Sequence, residues 1–156
     1  MPGVISATVA LEWPNRVSIR IVEDSPVALW EQDGDRFWVN VSGLLIPARS
    51  QSASLLLIQS EVEEDVGALA FVPEDVLEGA LQLRELRNNI DRLFYSPGGG
   101  LSYQDGRGWR AYFGSGLNME QKLVVYETIV DNLQARGVTP SYISVRNQEK
   151  PFYMAN

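Results

Sequence analysis

The side chains best suited to acid or base work in this 156-residue chain are carboxylates: there are 20 Asp+Glu, and neither His nor Cys. Their absence excludes Ser-His-Asp and Cys-His triads within one chain. It also excludes disulfides, thiolate nucleophiles, iron–sulfur clusters and the ordinary zinc and copper ligand sets. Carboxylates leave two chemistries open. One is a hard-cation site. The other is glycoside hydrolysis by two carboxyl groups about 5 to 9.5 Å apart. The evident groups, Asp33 with Asp35 and Glu61 with Glu63, Glu64 and Asp65, fall in turn or loop stretches, where solvation accounts for them. No carboxylate stands where the pattern predicts a dry pocket. The chain is therefore read as a non-enzyme, with no catalytic residue, no cofactor and no metal site.

Glycine-rich stretches were the next source of chemistry. Gly114-Ser115-Gly116 lies between a predicted strand and a predicted helix, the setting of a dinucleotide fingerprint, but Met119 occupies the third glycine position. Gly98-Gly99-Gly100 lacks the Lys-Ser or Lys-Thr of a P-loop. Both read as loops. Asn40-Val41-Ser42 matches a glycosylation triplet, but inside a predicted strand.

The elements that would position these residues follow from periodicity. Val9, Leu11 and Trp13 alternate with polar or small residues, as do Val17, Ile19 and Ile21; Pro14-Asn15 marks the turn between two strands. Two strands bury too little to stand alone. They must lean on the rest of the chain or end a neighbouring domain. Asp33-Gly34 is a strong hairpin signal. A two-residue loop there pairs Trp30 with Phe37 and Glu31 with Arg36, and puts Trp30 and Trp38 on opposite faces. Ser42-Gly43 makes a turn before a short Leu44–Ile46 strand that Pro47 ends. Ser50 to Ser54 reads as a polar loop, and Leu55–Ile58 as a short strand buried on both faces.

Pro73 opens a helix with Glu74 and Asp75 in its first turn and an apolar face of Val76, Leu77, Ala80 and Leu83. A strand over Ile90–Tyr95 and a hairpin around Asp105–Gly108 follow. Asn118 with Gln121 predicts a capping box for a second helix carrying Met119, Leu123, Tyr126, Val130 and Leu133. Gly137 caps its end. A strand from Ser141 to Arg146 and an aromatic tail close the chain. Neither helix makes a regular βαβ series, so the class is α+β: a mostly antiparallel or mixed sheet with two helices packed against it.

The net charge of −7, from 13 Lys+Arg against the 20 acids, argues against nucleic acid as a partner. No small-molecule substrate is expected either. The longest apolar run is Leu55–Ile58, far short of the roughly 20 residues of a membrane span, and Met1-Pro2-Gly3 opens no signal sequence. The chain is then cytoplasmic, or the soluble part of something longer. Most aromatics belong to the core. Trp38, Tyr103 and Trp109 are candidate stacking platforms for an alternative role, a cell-wall glycan or peptidoglycan-binding module. Tyr142, Phe152 and Tyr153 flank the last strand. There they either cover the core or present an edge to a partner.

One segment resembles a known family. Trp13-Pro14-Asn15-Arg16-Val17-Ser18-Ile19-Arg20-Ile21-Val22-Glu23-Asp24-Ser25-Pro26-Val27-Ala28 is similar to the inter-domain junction of the bacterial cell-division family FtsQ/DivIB. Val39-Asn40-Val41-Ser42-Gly43-Leu44-Leu45-Ile46-Pro47 resembles a strand of that family, and Tyr142-Ile143-Ser144-Val145-Arg146 its closing "Tyr-Val-Asp-Leu-Arg" strand. Asn40 and Ser144 stand where the family usually has Asp. The resemblance implies that residues 1–25 are the last two strands of a POTRA domain and residues 26–156 a β domain. It implies a single-pass protein at the extracytoplasmic face of the membrane, of which this chain is a soluble fragment without the transmembrane helix. Such a protein scaffolds the divisome and septum formation without catalysis. The implied partners are FtsB/FtsL-type proteins, bound through the C-terminal strands. Carried onto this sequence, the partner site is Tyr142, Val145, Arg146, Asn147, Phe152 and Tyr153.

Overall fold

The computed structural model describes residues 4–13, 15–49, 54–62, 71–116 and 118–155. The most local signal is realised to the residue. Asp33 and Gly34 both take positive φ, 52° and 88°, as a turn twisted to suit a hairpin requires. They join β3 (Ala28–Gln32) to β4 (Asp35–Val39). Trp30 pairs with Phe37 and Glu31 with Arg36, and Arg36 Nε donates to Glu31 Oε2 at 2.6 Å. Trp30 is buried and Trp38 only half-buried. β4 stops at Val39 because Asn40 turns its side chain onto the backbone. Its Oδ1 accepts from the N–H groups of Ser42 and Leu44, the local competition with sheet pairing that Asn favours. Asn40 is thus enclosed in its own turn and buried, which removes it as a glycosylation acceptor.

The remaining elements are β5 (Leu45–Pro47), β6 (Leu56–Ser60), α1 (Glu74–Leu86), β7 (Arg92–Ser96), β8 (Gly100–Gln104), β9 (Arg110–Gly114), α2 (Met119–Ala135), β10 (Pro140–Ser144) and β11 (Phe152–Ala155). They build one mixed sheet in the order β11-β10-β9-β8-β7-β6-β3-β4-β5. Strand β6 is parallel to β7, and β9 to β10. Each helix is therefore the crossover of an isolated βαβ unit, although α+β remains the class. The two crossovers run the same way across strands of the same orientation. The right-handed rule then sends both helices to one face. They meet there closely: a Cβ on Gly79 of α1 would stand 2.7 Å from the Met119 Cε of α2.

The core lies between that face and the helices. Val76, Leu77, Ala80 and Leu83 of α1 are buried as their spacing predicts, and so are Met119, Tyr126, Val130 and Leu133 of α2. They pack on Trp30, Ile58, Leu93, Leu101, Phe113 and Ile143. Among the described residues the opposite face carries no helix. Consequently β6 is buried on one face only: Leu56 and Ile58 face the helices, whereas Leu57 is half-buried. Most of the polar loop expected at Ser50–Ser54, and Glu63, Glu64 and Asp65 of the acidic loop, lie outside the described residues.

The α2 start differs from a capping box. Asn118 takes the left-handed conformation, φ 70°, and makes no side-chain cap bond; the Gln121 amide oxygen instead accepts from Gln148. Gly137 ends α2 as predicted, at φ 66° with Val138 N–H returning to the Leu133 carbonyl at 2.9 Å.

The first two strands, β1 (Val4–Glu12) and β2 (Arg16–Glu23), form a separate two-stranded sheet. Ala7 pairs with Ile21, Val9 with Ile19 and Leu11 with Val17, so these three pairs make an apolar stretch on one face. That face does not lean on the nine-stranded sheet: Leu11 is 79% exposed, Ile19 65% and Val9 62%.

Candidate functional site

The C-terminal edge is built by a short turn after β10. Asn147 Oδ1 accepts from Glu149 N–H at 3.0 Å, and Lys150 N–H reaches the Asn147 carbonyl at 3.1 Å. The chain then returns antiparallel, pairing Ser144 with Phe152, Ile143 with Tyr153 and Tyr142 with Met154. The aromatic tail is thus a strand of its own. It stands last in the sheet and covers β10, which has β9 on its other side. Phe152 is 47% exposed, Tyr153 38% and Met154 52%. The other edge, β5, has three residues and ends in Pro47, a poor template for strand addition.

Rings run inward from the edge along the helix-free face. Phe152 meets Tyr142 edge to face at 6.0 Å, and Tyr142 meets Tyr112 in the same way at 5.8 Å. Beside them, Arg146 Nη1 donates to the Gly98 carbonyl at 2.8 Å and Nε to Ser144 Oγ at 3.4 Å. No carboxylate pairs with Arg146 among the described residues. Of the six residues expected from sequence, Tyr142, Arg146 and Phe152 come together here, while Tyr153, paired with Ile143, lies on the opposite face of the edge. Asn147 shapes the turn. Val145 is fully buried in the core and presents nothing to a partner. Tyr112, Met154 and the Gly98–Gly100 loop belong to the same surface but were not nominated. Only the parallel pairing of β9 with β10 brings Tyr112 beside the C-terminal strands, and no local sequence signal carries that.

The hairpin around Gly106 holds a different constellation. Its Asp105 carboxylate is buried, yet it accepts from Arg107 through the backbone N–H and Nε, both at 2.9 Å, and through Nη2 at 3.1 Å. The hydroxyls of Tyr126 and Tyr103 also donate to it, and Trp109 Nε1 donates to the Tyr126 hydroxyl at 2.9 Å. Burial alone would raise the Asp105 pKa; the hydrogen bonds from Arg107 and Tyr126 outweigh it and hold the carboxyl below its ordinary range. Burial, reinforced by Asp105, pushes the Tyr126 hydroxyl well above its ordinary value. Every acceptor direction of this carboxylate is spoken for, so the network fixes the hairpin to α2 rather than offering a base. It also corrects a sequence expectation: Tyr103 and Trp109 are 7% and 5% exposed and cannot serve as stacking platforms. Trp38 is half-buried, with its indole nitrogen enclosed.

Lys122 is a buried cation that the sequence pattern does not predict. It donates to the Ser115 carbonyl at 3.2 Å, and burial lowers its pKa. Among the described residues no cluster of three or more potential ligands could hold a metal ion, and no helix is long and apolar enough to cross a membrane. The chain matches no protein-family model and no curated protein.

Proposed function

We propose that this chain is a non-enzymatic divisome scaffold of the FtsQ/DivIB type, acting at the extracytoplasmic face of a bacterial membrane. It binds an FtsB/FtsL-like partner by strand addition to β11. The junction and closing-strand resemblances name the family. The observation that carries the mechanism is the β11 edge: four exposed residues with one unpaired backbone side. Main-chain hydrogen bonds supply affinity in this mode, and alternate side chains supply specificity. Phe152 and Met154 flank Tyr142 on one face, Tyr153 points to the other, and Arg146 stands ready for an acidic side chain. In this reading residues 1–25 end a POTRA domain, whose missing elements cover the apolar face of β1–β2.

The test removes the edge and spares the core. Deleting residues 152–156 leaves β10 in place, whereas a cut at residue 141 would take the buried Ile143 and Val145 with it. The expected outcome is loss of binding to an FtsB-like peptide with dispersed amide spectra retained. Unchanged affinity in the folded truncation would overturn the site.

A further inference from the structure

Two cavities open beside Arg146, and main-chain pairing at β11 fills neither. The larger, about 400 Å³, is lined by the glycines of the 98–100 loop and Gly114, with Asp75, Tyr95 and Arg146 as polar walls. The smaller, about 240 Å³, lies against Tyr112, Tyr142 and Phe152 and shares Gly99 and Arg146 with the first. The two adjoin at Gly99 and Arg146 as a groove of two parts beyond the ends of β7, β9 and β10. These three strands run in the same direction, and the groove sits at their carboxyl ends, where open sheets with helical crossovers place ligands.

The groove is polar but balanced. It offers one guanidinium, on Arg146, and one carboxylate, on Asp75. Neither has an ion-pair partner among the described residues. Arg146 is held by two neutral acceptors. The Asp75 charge reaches Tyr95: burial first, and Asp75 second, raise that hydroxyl above its ordinary pKa. A balanced pair selects neither an anion nor a cation. It presents fixed donors beside a fixed acceptor, and glycines add backbone rather than side chain to the lining. Three aromatic rings border the adjoining smaller cavity. Hydroxyl groups both donate and accept, and the C–H face of a sugar ring packs on aromatic carbon. A neutral chain of polyhydroxylated rings that spans both parts has one ring for the polar walls and another for the aromatic ones.

We propose that this groove binds a short uncharged oligosaccharide, with Asp75 and Arg146 reading its hydroxyls and Tyr112, Tyr142 and Phe152 forming its apolar shelf. The two readings share Arg146, Tyr142 and Phe152; Asp75 separates them, because a partner strand needs the β11 backbone and not Asp75. A glycan role thus moves from the hairpin aromatics to the carboxyl end of the sheet.

The test titrates the whole chain with cellotriose and with tri-N-acetylchitotriose, read by amide proton–nitrogen correlation spectra. Saturable shifts at Gly98, Gly99, Gly100 and Gly114 are expected with at least one sugar. Response to both assigns recognition to the pyranose ring, and response to the second alone assigns it to the acetamido group. Asp75→Asn, which is isosteric, and Tyr142→Leu, which keeps apolar volume, should each weaken binding at least about tenfold, a loss of about 1.4 kcal/mol. Asp75→Asn should leave FtsB-like peptide binding unchanged. Absence of saturable shifts with either sugar would overturn the proposal, as would equal affinity in both variants.

Discussion

Asp105 shows how one residue type changes meaning with its surroundings. In sequence it is a turn aspartate before glycine; in the fold it is buried and joins the exposed Arg107 to the buried Tyr103 and Tyr126. Its depressed pKa sets the sign of a pH effect. The stabilisation is complete above the unfolded value, about 3.9, and is lost as pH falls through the lower folded value. Asp105→Ala leaves the buried Tyr126 hydroxyl without its acceptor and should cost about 3 kcal/mol at neutral pH. Asp105→Asn should cost less, about 1 to 2 kcal/mol. It should also flatten the acid dependence of the urea midpoint. Glycines divide in the same way. Gly100 has φ +66°, and a Cβ there would stand 2.4 Å from the Gly114 carbonyl carbon, whereas nothing lies within 4 Å of one at Gly98. Gly100→Ala should cost about 2 to 3 kcal/mol, and Gly98→Ala no more than about 0.5 kcal/mol, read from denaturant unfolding.

At the scale of elements, termini and edges carry the sharpest expectations. If Asn118 capped α2 by its side chain, Ser would replace it at little cost. Because it sits at φ 70° without that bond, the left-handed backbone decides instead. Asn118→Ser should destabilise by about 1 kcal/mol, and Asn118→Gly should be neutral or stabilising. Thermal unfolding of the two variants separates these accounts. Hairpin β3–β4 and the buried faces of both helices were legible in the sequence because each follows from contacts only a few residues apart. Strand β11 was read as an aromatic tail because four residues, two of them aromatic, carry too little alternation to mark a strand. Its pairing with β10 supplies the hydrogen bonds that make it one.

The molecule as a whole is a one-layer helical cover on one side of a nine-stranded sheet, with a small separate sheet ahead of it. Described side chains of the β1–β2 hairpin are exposed on both faces, so removing residues 1–22 should shift the body's melting temperature by no more than about 2 °C. A larger drop, measured by calorimetry, would mean that the hairpin supports the body. An uncovered apolar face also predicts dye binding or self-association that disappears in the shortened chain. By itself the sequence determined the α+β class, the turn positions and which helix faces are apolar, because periodicity and turn chemistry act locally. It also removed every chemistry that needs His or Cys. Only the tertiary structure decided that Val145, Tyr103 and Trp109 are core, that Tyr112 joins the C-terminal aromatics, and that two glycine loops meet at Arg146. Those facts depend on the parallel pairings β6–β7 and β9–β10, which bring together segments separated by a whole helix and leave no local trace in the chain.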